Sequence, residues 1–82
     1  MSRLNNLVVS YLIVDEYVGT MHKAILPFVL ARFITRRTNV SEETAKKYIK
    51  ELENGKFIEG KLYKIKYTEG GYRPWTTPKK LV

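Results

Sequence analysis

The stretch SEETAKKYIKELENGKFIEGKLYKI, residues 41–65, changes its apolar period halfway along. In its first half, Ala45, Ile49 and Leu52 recur at i, i+4 and i+7, which is the spacing of one apolar face on an α-helix. Ser41 precedes them and can accept a hydrogen bond from a first-turn amide. The first half therefore predicts a capped helix that ends at Asn54-Gly55, where glycine favours termination.

After Gly55 the apolar period becomes two. Tyrosine and isoleucine alternate with lysine over residues 63–67, which predicts a strand with one apolar and one basic face. Glu69-Gly70-Gly71 then predicts a hairpin turn, and residues 72–76 a return strand with Trp75 folded back onto the core.

Upstream, residues 3–17 predict a helix with Ser2 as its N-cap and Gly19 at its end. The β-branched pairs within it leave a strand as the alternative. Five apolar side chains follow helical spacing and are expected to serve the core: Leu4, Leu7, Val8, Tyr11 and Leu12.

Three further apolar residues of this element, Val9, Ile13 and Val14, fall on other faces. Left in water they would form a sizeable apolar patch, so we expect them to lie in a homodimer interface. The alternative is that the hairpin and Trp75 cover them within one chain.

Pro27 divides the next segment. Proline is tolerated at the first helical position and not in a helix interior, which predicts a short extended segment over 21–26 and a second helix over 27–37. Asn39 tolerates the left-handed conformation that a tight turn between the second and third helices requires.

The 82 residues suffice for one domain, expected over residues 1–77, with a short basic tail at 78–82. The net charge is +7, and residues 1–22 carry −1 against +8 on the remainder. A basic surface confined to one part of a small domain indicates a polyanionic partner, nucleic acid before membrane; solubility alone is the alternative.

Several function classes are not expected. The chain has no cysteine and one histidine, His22, which argues against a metal site and is expected to be structural or on the surface. No nucleophile stands with a base, so the chain is not expected to be an enzyme. No cofactor or small-molecule ligand is expected. With no apolar run of membrane-spanning length, we expect a cytoplasmic protein.

From Ser41 onward the pattern resembles the winged helix-turn-helix DNA-binding family, in which a capped third helix is followed by a glycine, an apolar pair and a hairpin wing. The positions that carry the resemblance are Ser41, Thr44, Ala45, Ile49, Leu52, Gly55, Phe57 and Ile58. The resemblance covers about residues 20–76 and is to compact regulators of archaea and their viruses. Thr38 departs from it, since the family usually has an apolar residue at the turn.

This resemblance implies an α+β fold of three helices followed by a two-stranded hairpin wing, and a dimeric, sequence-specific regulator bound to double-stranded DNA. The third helix would lie in the major groove and read bases through Ser41, Glu43, Thr44, Lys46 and Lys47. Contacts to the DNA backbone would come from Arg36, Arg37, Lys50, Asn54, Lys64, Lys66 and Arg73.

Other interpretations stay open. The chain could be a non-specific architectural binder, or a protein–protein adaptor on the same fold. The lysines of the third helix could form only a solvated face, paired at helical spacing with Glu42, Glu43 and Glu51. Tyr63, Tyr67 and Tyr72 are expected in core or cross-strand packing and not in base stacking.

Overall fold

The computed structural model describes residues 2–75, which form three helices followed by two β-hairpins. The elements are α1 (Arg3–Met21), α2 (Pro27–Thr38), α3 (Glu42–Asn54), β1 (Lys56–Ile58), β2 (Lys61–Tyr63), β3 (Ile65–Thr68) and β4 (Gly71–Pro74). This confirms the α+β class. The predicted domain end at 77 and the basic tail at 78–82 lie outside the described residues.

The first element is a helix, which settles the choice between helix and strand. Ser2 caps it as predicted, because its Oγ accepts a hydrogen bond from the Asn5 amide at 3.1 Å. The predicted end is wrong: the helix continues through Gly19 to Met21, and His22 takes the left-handed conformation, with a φ of 58°. The His22 amide donates to Val18 O at 2.9 Å and closes the last turn.

The buried face of α1 is rotated from the predicted one. Its buried residues are Asn6, Leu7, Ser10, Ile13 and Val14. Leu4 and Leu12, expected in the core, are 47% and 46% exposed. Two polar residues cause the difference, since Asn6 and Ser10 lie inside and bond there: Ser10 Oγ donates to Asn6 O at 2.8 Å, and Asn6 Nδ2 donates to Tyr48 Oη at 3.3 Å.

The predicted dimer interface is therefore wrong in its residues. Ile13 and Val14 lie in this chain's own core, and Val9 is half-buried and packs against it. All three residues are therefore covered within one chain, which was the alternative to a dimer.

The second helix begins at Pro27, as predicted, and ends at Thr38, one residue later than predicted. Asn39 follows in the left-handed conformation, as expected. Thr38 is buried, and its Oγ1 donates to Ile34 O at 2.8 Å. Because this bond satisfies the hydroxyl within the helix, threonine can occupy a buried position. In α3, the predicted cap and buried face are confirmed, with Ala45, Ile49 and Leu52 buried beside Tyr48.

The predicted hairpin is confirmed as β3–β4, but a second hairpin, β1–β2, precedes it and was not predicted. β1 pairs with β2 through the turn Glu59-Gly60, in which both residues have positive φ, 52° and 79°. Such a turn matches the twist of a tight hairpin. Tyr63 consequently lies in β2 opposite Lys56, and β3 begins only at Ile65.

The second hairpin, β3–β4, joins the helices through the segment before α2. Ile25 and Tyr72 exchange two backbone hydrogen bonds, of 3.0 and 2.8 Å, so the predicted extended segment acts as a third strand position beside β4. A Cβ on Gly71 would lie 2.2 Å from Ile25 O, and Gly71 has a φ of +133°, so only glycine fits this approach. The layout is consistent with a winged helix.

The core lies where the three helices meet β3 and β4. Its fully buried side chains include Leu7, Val14, Ile25, Leu30, Ile34, Leu52 and Ile65. Trp75 is half-buried, and its amide extends the hairpin by donating to Lys64 O at 2.9 Å. Within residues 2–75, no helix is both long and apolar enough to cross a membrane.

Candidate nucleic-acid interface

The outward face of α3 is a polar stripe. It carries Glu43, Lys47, Lys50 and Asn54, all exposed, at successive spacings of four, three and four residues. Eleven helical rises separate Glu43 from Asn54, which makes this stripe about 16 Å long. Lys46 is also exposed and lies on the flank of the stripe nearest α2. The stripe faces away from the buried residues of α3, so its side chains are available to a partner.

Two of the five predicted base-reading residues serve the helix itself. Ser41 Oγ accepts from the Thr44 amide at 3.1 Å and donates to Thr44 Oγ1 at 3.0 Å. The hydroxyl of Ser41 is thus engaged in the cap, and Thr44 is half-buried toward α1. Glu43, Lys46 and Lys47 are the predicted readers that are exposed and take no part in the cap.

The β3–β4 hairpin adds a second pair of cations. Lys66 lies directly opposite Arg73, on the face of the hairpin away from Ile65 and Tyr72. Side chains directly opposite each other in an antiparallel pair are close, about 5 Å between Cβ atoms. The structure therefore concentrates two positive charges at one point of the wing.

Lys64 and Lys66 were both predicted to contact the DNA backbone, but Lys64 has a structural role. It lies between β2 and β3, half-buried, and its Nζ donates to Glu53 O in the last turn of α3. A cation at this end of a helix satisfies an unpaired carbonyl and interacts favourably with the helix dipole. Lys64 thus fixes α3 against the hairpins.

The two arginines at the end of α2 do not join the α3 stripe. Arg37 lines a groove with Tyr17 and Met21 of α1. Arg36 lies on the outer side of α2, beside Phe28 and Phe33. Both are exposed and sit in the last turn, where positive charge is favourable.

The acidic residues of α3 form no ion pair with its lysines among the described residues. Glu51 pairs instead with Arg3 of α1 and, at 3.8 Å, with Lys56 of β1. Within residues 2–75 no carboxylate oxygen lies within 4.0 Å of the charged nitrogens of Lys46, Lys47, Lys50, Lys66 or Arg73. The intrahelical pairing considered above is absent from this part of the chain.

The proximity of α1 to this surface could not be predicted from the sequence. A cleft of about 320 Å³ separates the start of α1 from α3 and is lined by Arg3, Asn6, Thr44, Lys47, Tyr48 and Glu51. Arg3 and Lys47 thus lie on one cleft, in which Arg3 is paired with Glu51 and Lys47 has no ion pair among the described residues. The position of α1 beside α3 follows from the rotated packing of α1, and that packing depends on the buried hydrogen bond between Asn6 and Tyr48.

The tyrosines pack with each other, as expected. The rings of Tyr67 and Tyr72 meet edge to face across the hairpin, with centroids 5.2 Å apart, and Tyr63 meets Tyr11 in the same way at 5.3 Å. Burial, together with the charge of Glu53 and a hydrogen bond to it, raises the pKa of Tyr72 to about 12.

An apolar groove of about 310 Å³ adjoins the stripe between α2 and α3. Its walls include Phe28, which is 60% exposed, with Ile49 and Tyr72, and its charged lining residues are Lys46, Lys50 and Glu53. The groove is therefore apolar, with charges of both signs among its lining residues.

No family model matches the chain, and no curated protein or solved structure matches it significantly. Its function has to be inferred from the chemistry of the surface just described.

Proposed function

We propose that the chain is a sequence-specific, double-stranded DNA-binding protein of winged helix-turn-helix type that acts as a transcriptional regulator. In this proposal α3 enters the major groove, and the β3–β4 wing contacts the backbone or the minor groove. The observation that carries it is the set of cations on the α3 stripe and the wing, none of which has a carboxylate oxygen within 4.0 Å in residues 2–75.

The stripe has the dimensions of a reading helix. Its length of about 16 Å fits along a major groove about 12 Å wide, which admits one α-helix. Lys46 and Lys47 can donate to guanine O6 and N7. Lys50 and Asn54, nearer the end of α3, would meet phosphates and fix the position of the helix.

Glu43 favours specific recognition over a non-specific grip. It is exposed on the same stripe as Lys47 and repels phosphates wherever it meets them. The repulsion is offset where the carboxylate accepts a hydrogen bond from cytosine N4. A purely architectural binder gains nothing from an acid at this position.

The wing is short, which limits what it can reach. β3 and β4 have four residues each, and the turn between them is Glu69-Gly70. Such a hairpin extends about 13 Å. Lys66 and Arg73 would therefore bind the backbone beside the groove that α3 occupies.

The test is selection of binding sites from random duplex DNA at physiological salt, followed by titration of the selected and a scrambled duplex. We expect the selected duplex to bind at least a thousandfold more tightly. Lys47→Ala should reduce that ratio, whereas Lys23→Ala, an exposed lysine outside α3 and both hairpins, should leave it unchanged.

The competing functions give different results. Equal affinity for both duplexes, with a steep salt dependence, would identify an architectural binder. Absence of binding to any duplex at low salt would overturn the proposal and would favour the alternative of a protein–protein adaptor.

A further inference from the structure

The outward side of α2, called the α2 face below, combines exposed aromatic rings with arginines. It consists of two adjacent rows at four-residue spacing: Phe28, Arg32 and Arg36, and Val29, Phe33 and Arg37. All of these residues are exposed except Val29, which is half-buried. The face is about 14 Å long. Rows of residues at this spacing form the ridges through which helices most commonly pack against each other.

The arginines of the α2 face have no acidic partner among the described residues. No acidic residue occurs in α2, and none of its three arginines has a carboxylate oxygen within 4.0 Å in residues 2–75. Three of the chain's five arginines lie in α2, which has no lysine, whereas α3 and the hairpins carry mostly lysine. Arginine can bind a carboxylate through two parallel hydrogen bonds, and it is enriched in protein interfaces, where lysine is depleted. The α2 face therefore suits a protein partner that bears carboxylates.

Phe33 separates two shallow apolar grooves. The larger, of about 310 Å³, lies between α1 and α2, and its walls include Tyr17, Met21 and Phe33. The rings of Tyr17 and Phe33 pack together there, with centroids 6.2 Å apart. The smaller groove, of about 160 Å³, lies on the outer side of α2 between Phe28 and Phe33. Aromatic rings, methionine and arginine are the residues in which the buried parts of protein interfaces are enriched.

Glu16 brings a negative charge to the edge of this surface. It lines the larger groove together with Arg37 and forms no ion pair among the described residues. A partner's carboxylate placed near α1 would be repelled by Glu16, whereas a carboxylate placed over the smaller groove would meet Arg32 and Arg36. The charges therefore favour a partner whose acidic side lies along α2.

We propose that the α2 face binds an acidic amphipathic helix of another protein. Apolar side chains of that helix, three or four residues apart, enter the grooves on either side of Phe33, and its carboxylates pair with Arg32 and Arg36. Helices are commonly recognised in this way, with their apolar face in a groove. A membrane surface is a poorer match, because a helix lying on a bilayer separates its apolar and basic residues around its axis, whereas the α2 face interleaves them.

This interaction goes beyond the proposed function and uses none of the cations that it assigns to DNA. It also gives a different partner to Arg36 and Arg37, for which the resemblance implied contacts with the DNA backbone. The two proposals fail separately, because peptide binding to the α2 face is measured without DNA.

Selection from a library of displayed random peptides, about 15 residues long and so able to form four helical turns, tests the proposal. The target is the full chain at physiological salt. We expect the enriched peptides to have an excess of aspartate and glutamate, with apolar residues at three- and four-residue spacing. A labelled peptide from this pool should bind in anisotropy titrations. The same peptide with every acid replaced by its amide should bind at least tenfold more weakly.

Substitutions in the chain locate the binding site. Arg32→Ala and Arg36→Ala should each weaken peptide binding severalfold, and Phe33→Ala at least tenfold. Two matched controls should leave it unchanged: Arg73→Ala, the same substitution on the wing, and Lys47→Ala on the α3 stripe. Circular dichroism checks that all of these variants keep their helices.

Three results would overturn the proposal: no enriched peptide, enriched peptides without an excess of acids, or binding that Lys47→Ala weakens as much as Arg32→Ala does. Other occupants of the α2 face have their own signatures in the absence of enriched peptides. Loss of binding to phosphatidylserine vesicles in Arg32→Ala would identify a lipid surface, and loss of duplex affinity in that variant a nucleic acid. A dimer of the wild type in sedimentation that Phe33→Ala abolishes would identify a second copy.

Discussion

Lys66 lies directly opposite Arg73 across the β3–β4 hairpin, with no carboxylate within ion-pair distance in the described residues. Like charges in directly opposed positions destabilise a hairpin. The pair therefore lowers the stability of the folded chain, and an anionic partner would relieve that cost by binding between the two side chains.

The pair predicts opposite effects of one substitution on stability and on binding. Lys66→Gln should raise the free energy of unfolding by about 0.3 kcal/mol, because it removes the repulsion. It should also weaken DNA binding and reduce the slope of log affinity against log salt by about 0.9, the loss of one phosphate contact. Thermal unfolding and anisotropy titrations measure the two effects. A more stable variant with unchanged salt dependence would remove Lys66 from the interface.

Asn6 and Tyr48 should be energetically coupled, so that the cost of substituting one depends on the presence of the other. Asn6 is buried, and its Oδ1 has no hydrogen-bond partner among the described residues, so the bond from Nδ2 to Tyr48 is its side-chain link to α3. Tyr48→Phe should cost about 1 kcal/mol, and noticeably less when Asn6 is already alanine. Urea unfolding of the four proteins in this cycle gives the coupling. Equal costs in both backgrounds would show that the bond contributes nothing.

Local signals explain which parts of the fold could be predicted. The start of α3 depends on Ser41 and its own first turn, and its buried face on Ala45, Ile49 and Leu52, all of which are visible as spacing in the sequence. The outward stripe follows from the same helix geometry. Both the third helix and its candidate surface were therefore accessible without a structure.

The parts that were missed depend on contacts distant in sequence. Asn6 and Ser10 decide which face of α1 is buried. Because both are polar, the apolar pattern predicted a buried face that is rotated from the observed one. The β1–β2 hairpin turns at Glu59, which has a positive φ. Asparagine or glycine at this position would have predicted the turn, whereas glutamate does not. The engagement of Lys64 with α3 depends on where that hairpin ends, and so could not be anticipated.

Two glycines should respond to alanine in opposite directions. Gly19 is exposed within α1, and nothing lies within 4 Å of an added Cβ, so Gly19→Ala should stabilise the fold by about 0.5–1 kcal/mol. Gly71→Ala combines a positive φ with a clash against the backbone of Ile25, and should cost about 2 kcal/mol or more. Unfolding in urea compares them. A harmless Gly71→Ala would contradict the close approach of β4 to the segment before α2.

Tyr72 should make the stability of the chain depend on alkaline pH. Burial first, then the charge of Glu53 and a hydrogen bond to it, raise the pKa of Tyr72 to about 12 in the folded state, against about 10 in the unfolded chain. Between these values the folded state holds the phenolic proton more tightly, so unfolding releases a proton and stability falls as the pH rises. The contribution is complete below about pH 10 and is lost progressively up to about pH 12. Tyr72→Phe removes this loss. The unfolding free energy of the wild type minus that of the variant should therefore fall as the pH is raised through this window, as measured by urea titrations.

Glu53→Gln should remove only part of this pH dependence, since burial is its largest cause. A difference that stays constant from about pH 8 to pH 11 would show that Tyr72 titrates normally and is not held in the environment between α3 and β4.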